Sequence, residues 1–210
     1  GGFGLMYDDR LGEVLRAETR VNADGELEET GRVVRFRGNI GRALMYGLES
    51  LVDLNMLPVF GFDNRNARLN LFANTAITKS EYLDSDIPGV EGNEVEFIPL
   101  INLKTGIRFG YKNLLGSLQY TYLSKQFTDA SNALQNANDN QSGIKGEIPA
   151  YDILDVSLSW SYKKFKVESG INNLLDKSYF TRRATGYPGP GIIPSPPRTY
   201  YVTLQFMLDS

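Results

Sequence analysis

The sequence predicts an all-β protein, an antiparallel transmembrane β-barrel, on three observations. The closing stretch Thr199–Phe206 alternates strictly: Tyr200, Val202, Leu204 and Phe206 fall on one face, and Thr199, Tyr201, Thr203 and Gln205 on the other. Side chains of a strand alternate with period two, so one face is apolar and the other polar. The pattern recurs in stretches of about ten residues, longer than the usual ~5–6 of a soluble sheet and enough to cross a bilayer when tilted. Tyr and Phe gather near the ends of these stretches, where lipid headgroups would lie.

Eight strands are expected. The first, 3–14, puts Phe3, Leu5 and Tyr7 on one face. In the second, 43–54, Leu44, Tyr46, Leu48, Ser50, Val52 and Leu54 oppose Met45, Gly47, Glu49, Leu51 and Asp53. The third, 67–82, sets Leu69, Leu71, Ala73 and Ile77 against Arg68, Asn70, Asn74 and Thr78, with Phe72 breaking the polar face. The fourth, 100–111, sets Ile101, Leu103, Ile107, Phe109 and Tyr111 against Asn102, Lys104, Gly106, Arg108 and Gly110. The fifth, 116–127, carries Leu118, Tyr120 and Tyr122 opposite Ser117, Gln119 and Thr121. The sixth, 151–162, carries Leu154, Val156, Leu158, Trp160 and Tyr162 opposite Asp155, Ser157, Ser159 and Ser161. The seventh, 165–174, carries Phe165, Val167 and Ile171 opposite Lys166, Glu168 and Asn172, and the eighth closes the chain.

Long connections at 15–42, 83–99, 128–150 and 175–198 alternate with shorter ones at 55–66, 112–115 and 163–164. Outer-membrane barrels alternate long external loops with short periplasmic turns, so the long connections are expected outside. The Asn- and Gln-rich stretch 132–142 reads as a loop tip. The stretch 187–197 holds five prolines and should be stiff and outside the ladder. The chain opens Gly-Gly-Phe-Gly without an initiator Met, as expected of a chain whose signal was cleaved or of a piece of a longer one.

Composition narrows the chemistry. Among 210 residues there is no Cys and no His, which removes disulfides, thiolate sites, the commonest general base and the commonest metal ligand. No cofactor or metal site is expected. A net charge of −3 and a pI of about 5.1 provide no basic field for nucleic acid. No apolar run reaches the ~18 residues of a membrane helix, and a mean hydropathy of −0.28 suits a barrel in which half of each strand faces water.

Three segments together resemble the TonB-dependent outer-membrane receptors. The stretch from Asn39 through Gly41, Ala43 and Gly47 to Glu49 is similar to their N-x-G-x-A-x-x-x-G-x-E strand. Asn173, Asp176 and Tyr179 match an N-x-x-D-x-x-Y segment near their C-terminus, and the ending from Arg198 to Phe206 is similar to their closing strand. The opening from Tyr7 to Val14 fits as well. The loop Tyr-Phe-Thr-Arg-Arg-Ala-Thr-Gly-Tyr-Pro-Gly-Pro-Gly from Tyr179 makes the ferric-dicitrate type the most similar. The tail departs from the pattern, since Met207, Leu208, Asp209 and Ser210 follow the aromatic Phe206.

The resemblance implies that these are about eight C-terminal strands of a 22-stranded plugged barrel, with the plug domain absent from residues 1–210. It implies energised uptake of a ferric siderophore or iron citrate across the bacterial outer membrane, with no catalysis. The implied partners are the plug domain, the TonB complex reached through the N-terminal part, and outer-membrane lipid and lipopolysaccharide.

Ferric chelates are commonly anionic, so cations on loops are the candidate binding residues: Arg182 and Arg183, flanked by Tyr179 and Tyr187, and Arg35 and Arg37 in the first long connection. The same arginines could instead pair with other loops or with lipopolysaccharide phosphates. The mixed charges Arg68, Lys104, Arg108, Lys166, Glu49, Asp53, Asp155 and Glu168 read as a salt-bridged inner wall. Gly47 and Gly170 read as close-packing positions, and Asn173 and Asp176 as organisers of the loop that follows.

Rival readings are a complete eight-stranded barrel serving as an anchor or adhesion protein, an outer-membrane lipase or protease, and a soluble carbohydrate-binding sandwich. The first needs the first strand to pair with the last. The second needs a base beside a nucleophile, which a chain without His supplies poorly.

Overall fold

The computed structural model describes residues 1–62, 65–135, 143–186 and 190–207. All eight expected strands form a single antiparallel meander. In order they are β1 (Gly2–Val21), β2 (Leu27–Asn55), β3 (Ala67–Asp84), β4 (Ile101–Tyr111), β5 (Leu114–Leu123), β6 (Tyr151–Tyr162), β7 (Phe165–Asn172) and, last, β10 (Thr199–Phe206). Between β7 and β10, β8 (Phe180–Ala184) and β9 (Gly191–Pro194) make a separate two-stranded sheet. Strands β1 and β10 are the two edges of the large sheet, which is open. The β1–β10 pairing demanded by a closed eight-stranded barrel does not form.

Register explains why the alternation holds. Residues directly opposite across antiparallel strands share a face. One row runs Leu54, Leu71, Ile107, Leu118, Val156, Ile171, Tyr200 and is wholly apolar. The adjoining row on the other face runs Asn55, Asn70, Arg108, Ser117, Ser157, Gly170, Tyr201. Aromatic side chains border the apolar face at the short-turn end, where the Trp160 and Tyr162 rings stack at 5.8 Å and Phe165 meets Phe206 at 4.9 Å. The turns there are tight, with Lys112 and Lys163 at φ 53° and 52°.

Three expectations are corrected. The connection expected at 15–42 is mostly strand: β1 runs 20 residues and β2 runs 29, joined by a turn at 22–26. Apolar alternation fades there because the hairpin, about 95 Å long in β2 at ~3.3 Å per residue, outruns a ~30 Å bilayer core. Its upper part is held by polar pairs such as Arg20–Glu28 at 3.6 Å and Thr30–Glu18 at 2.7 Å. Asn22 Oδ1 sets the turn, accepting from the amides of Asp24 and Glu26 at 3.0 and 2.9 Å. Arg35 and Arg37 therefore sit on a strand. The fifth strand ends at Leu123, and Gln126 pairs with Ile148 instead. Part of the proline-rich stretch is strand β9, although outside the large ladder.

Phe72 does fall on the polar inner face, as expected, and the pairing continues through it. Gly106 opposite leaves room for its ring, and the Arg108 guanidinium lies 4.2 Å from the ring centroid. On β1, Phe3, Leu5 and Tyr7 pair with Gly47, Met45 and Ala43, so they share the inner face of β2.

The core sits at the long-connection end. Val14, Ile40, Ala43, Met45 and Tyr82 on the strands pack with Val90, Val95 and Ala130 from the connections. The β3–β4 connection folds back along β3, with the Tyr82 amide donating to Asn93 O and the Gly92 amide to Tyr82 O, both at 2.8 Å.

Candidate functional site

The long-connection end holds a cleft of about 430 Å³ lined by Leu11, Gly12, Glu13, Arg35, Arg37, Glu96, Phe97, Thr181 and Arg182. Register builds one wall. Glu13 lies opposite Arg37, and Leu15 opposite Arg35, which puts Glu13, Arg35 and Arg37 on one face of the β1–β2 hairpin. Strand β8 builds the facing wall, where period-two alternation turns Arg182 and Arg183 opposite ways.

The three cations at the cleft differ in their commitments. Arg35 is ion-paired with Glu13 and donates to the Arg183 carbonyl at 3.0 Å. Arg37 and Arg182 are exposed, and neither side chain has a hydrogen-bond or ion-pair partner among the described residues. The acids are already engaged. Glu96, only 3 % exposed, accepts from the Tyr82 hydroxyl at 2.7 Å, from the Glu13 amide at 3.3 Å and from Arg10 Nη2 at 3.5 Å. Burial first, and then the hydrogen bond to Glu96, hold the Tyr82 phenol well above its ordinary pKa. Gly12 makes this approach possible: a Cβ there would lie 2.5 Å from Glu96 Oε1 and 2.9 Å from the Tyr82 hydroxyl.

Arg183 lies outside the cleft lining and is 1 % exposed. Its guanidinium donates to Gly143 O at 2.6 Å, to Glu147 O at 3.1 and 2.9 Å, and to Gln135 Oε1 at 3.3 Å. Tyr179 is half-buried, stacks on Tyr151 at 4.9 Å and is also outside the lining. Tyr187 lies outside the described residues, as do most of the predicted loop tip 132–142 and the tail from 208 onward. Asn173 and Asp176 do organise the loop. Asn173 bonds both the amide and the carbonyl of Lys177, at 2.9 and 2.8 Å, and Asp176 Oδ1 accepts from the Arg198 amide at 2.9 Å.

Sequence reasoning thus placed Arg35, Arg37 and Arg182 among the candidates, and the fold brings these three to one cleft. It missed Glu13, Glu96 and Phe97. The Glu13–Arg37 register was readable only once β1 and β2 were known to continue past the bilayer, and Glu96 had no local signal.

A second hollow of about 470 Å³ lies on the inner face toward the short-turn end, with Arg68, Asn70, Arg108, Ser117, Ser157, Glu168 and Tyr201 in its lining. Its wall is salt-bridged, with Arg108–Asp53 at 2.9 Å and Lys166–Glu168 at 2.5 Å. Among the described residues no cluster of three or more Asp or Glu could hold a metal ion.

This architecture matches known proteins. The sequence model of the family described as TonB dependent receptor-like, beta-barrel matches residues 3–174. No curated protein sequence matches the chain. Among solved structures, the ferric citrate transporter FecA in its unliganded form is 20 % identical over 98 % of this chain and 30 % of its own, with a TM-score of 0.69. The ferric yersiniabactin uptake receptor FyuA of Yersinia pestis is 15 % identical over 98 % of this chain and 36 % of its own, at 0.61. The copper transporter OprC is 14 % identical over 98 % and 28 %, at 0.62. At these identities the likeness is one of fold, and the chain spans about a third of the length of these structures. With the family model covering most of its length and its strands apolar on one face and polar on the other, the chain belongs to the TonB-dependent receptor β-barrels of the bacterial outer membrane.

Proposed function

We propose that this chain is the C-terminal part of the barrel wall, with its external loops, of a receptor that takes up an anionic ferric chelate, a siderophore or iron citrate. The single observation that carries the proposal is the cleft in which the side chains of Arg37 and Arg182 stand exposed and without a partner among the described residues. The structural neighbours are a ferric citrate transporter, a ferric yersiniabactin uptake receptor and a copper transporter, so the fold does not choose a cargo. The charge of the cleft supports an anionic one. Glu13 and Glu96 are held by Arg35 and Arg10, which leaves net positive charge facing the opening and favours an anion over a bare cation.

The mechanism is binding and passage, with no bond made or broken. Charge-assisted hydrogen bonds from Arg37 and Arg182 hold the chelate at the long-connection end, on the cell exterior. The mixed charges of the inner face provide polar contacts for a plug domain carried elsewhere in the receptor, and the TonB complex acting on that plug supplies the energy. The apolar rows meet lipid, and the outermost loops meet lipopolysaccharide.

The test is Arg37→Ala combined with Arg182→Ala in the intact receptor. Two charge-assisted contacts at roughly 1.5–3 kcal/mol each predict a loss of more than about tenfold in affinity for the ferric chelate. Equilibrium binding to outer-membrane preparations reads this directly. Unchanged affinity would remove the cleft from the binding site.

A further inference from the structure

Arg183 is a buried cation whose charge the cleft does not use. Its guanidinium reaches across to the β5–β6 connection and grips the backbone there. Nη1 meets Gly143 O at 2.6 Å, while Nε and Nη2 both converge on Glu147 O, at 3.1 and 2.9 Å. The Phe180 ring covers it at 5.0 Å. The socket is shaped for this group. Gly146 has φ 130°, and a Cβ there would lie 3.1 Å from the guanidinium carbon; a Cβ on Gly143 would lie 3.6 Å from Nη1. The backbone of the same residue faces the cleft side, where its carbonyl accepts from Arg35 Nη2 at 3.0 Å. Arg35 in turn is ion-paired with Glu13 on β1.

One residue therefore joins three parts of the chain: the β1–β2 hairpin through its carbonyl, the β5–β6 connection through its guanidinium, and β8 through its own backbone. We infer that Arg183 is a positioning residue that fixes β8 so that Arg182 faces Arg37 across the cleft, without itself meeting the cargo. This inference rests on the proposed binding role of the cleft. A planar fork is needed to place two donors on one carbonyl, so charge alone does not suffice and Lys is not a substitute.

The experiment uses the intact receptor and two variants that disturb the socket from opposite sides, Arg183→Lys by removing the planar fork and Gly146→Ala by crowding it. Spin labels on Thr181→Cys and Leu11→Cys, one on each wall of the cleft, report the wall-to-wall distance without cargo. A narrow distribution in the parent and a broad one in both variants is the expected result. A distribution that stays narrow in Arg183→Lys overturns the inference. Chelate affinity supplies the second readout. Arg183→Lys is expected to weaken binding on the order of tenfold, and to add little in a receptor that already carries Arg182→Ala, because it acts through Arg182. Full additivity would place Arg183 on the cargo and overturn the positioning role. The two readings fail separately: unchanged affinity on removing Arg37 and Arg182 defeats the cleft as a binding site, whereas the label distances judge the socket with no cargo present.

Discussion

Glu96 and Tyr82 show how a polar pair is kept inside the loop core. The Tyr82 hydroxyl donates to Glu96 Oε2 at 2.7 Å while Arg10 and the Glu13 amide serve Oε1. Removing that hydroxyl in Tyr82→Phe leaves a buried carboxylate oxygen without its donor, a cost of about 1–3 kcal/mol. The pair also carries a pH signature. Burial and Glu96 raise the folded pKa of Tyr82 above the unfolded value of about 10. The stability it lends is therefore complete below about pH 10 and is lost as pH climbs through the raised folded value. In an alkaline titration followed by tyrosinate absorbance, native protein and Tyr82→Phe should show the same first rise near pH 10, and the native protein the larger later one. An equal loss of amplitude in the first rise would place Tyr82 among the ordinary tyrosines.

At the level of elements, a recurring device is an aromatic ring laid over a glycine on the neighbouring strand. Phe72 covers Gly106, Phe109 covers Gly116 and Tyr201 covers Gly170, with a built Cβ falling 2.9, 2.3 and 2.5 Å from the nearest atom of each aromatic side chain. The ring shields backbone that has no side chain of its own and pins the register. At Gly170 the three nearest atoms all belong to the Tyr201 side chain, so the consequence is separable. Gly170→Ala should cost about 1–3 kcal/mol by overpacking, and Tyr201→Ala in the same receptor should relieve most of it. The temperature at which the folded, detergent-resistant form is lost checks this. Equal loss with and without Tyr201 would show that the ring is not what the glycine accommodates.

For the molecule as a whole, the decisive property is that its two faces meet different solvents. Leu204 and Val202 on β10 are 78 % and 69 % exposed, an arrangement suited to lipid and unsuited to water. Thr203 points the other way, opposite Glu168. An arginine facing the middle of the bilayer costs about 2–4 kcal/mol, so Val202→Arg, one outward position further from the aromatic border than Leu204, should sharply reduce folded receptor in the outer membrane while Thr203→Arg is tolerated. Immunodetection of the folded form in membrane fractions distinguishes them, and equal tolerance would sink the assignment of faces. In the proposed receptor the open edges of β1 and β10 pair with the remaining strands, which removes the hazard of exposed ladder groups. At the other end, the loop core and the Arg183 socket hold the connections together above the sheet.

The sequence by itself determined the all-β class, the eight strands of the ladder and the two solvents of its faces. A strand crossing a bilayer must alternate, and residues such as Leu204 and Thr203 record that requirement locally. It also marked Arg35, Arg37 and Arg182 as candidates, because unpaired cations suit an anionic cargo. It did not reveal that β1 and β2 run on past the bilayer, since beyond the lipid nothing forces alternation, and there the backbone ladder is joined by cross-strand polar pairs at residues such as Glu18 and Glu28. Nor did it separate Arg182 from Arg183. Adjacent on one strand and identical in chemistry, they differ only in direction: one turns to an open cleft, the other into a socket built by Gly143, Gly146 and Glu147 about forty residues earlier. Tertiary structure alone decided that, because a side chain's role depends on what the fold brings opposite it, and that is not written in its neighbours along the chain.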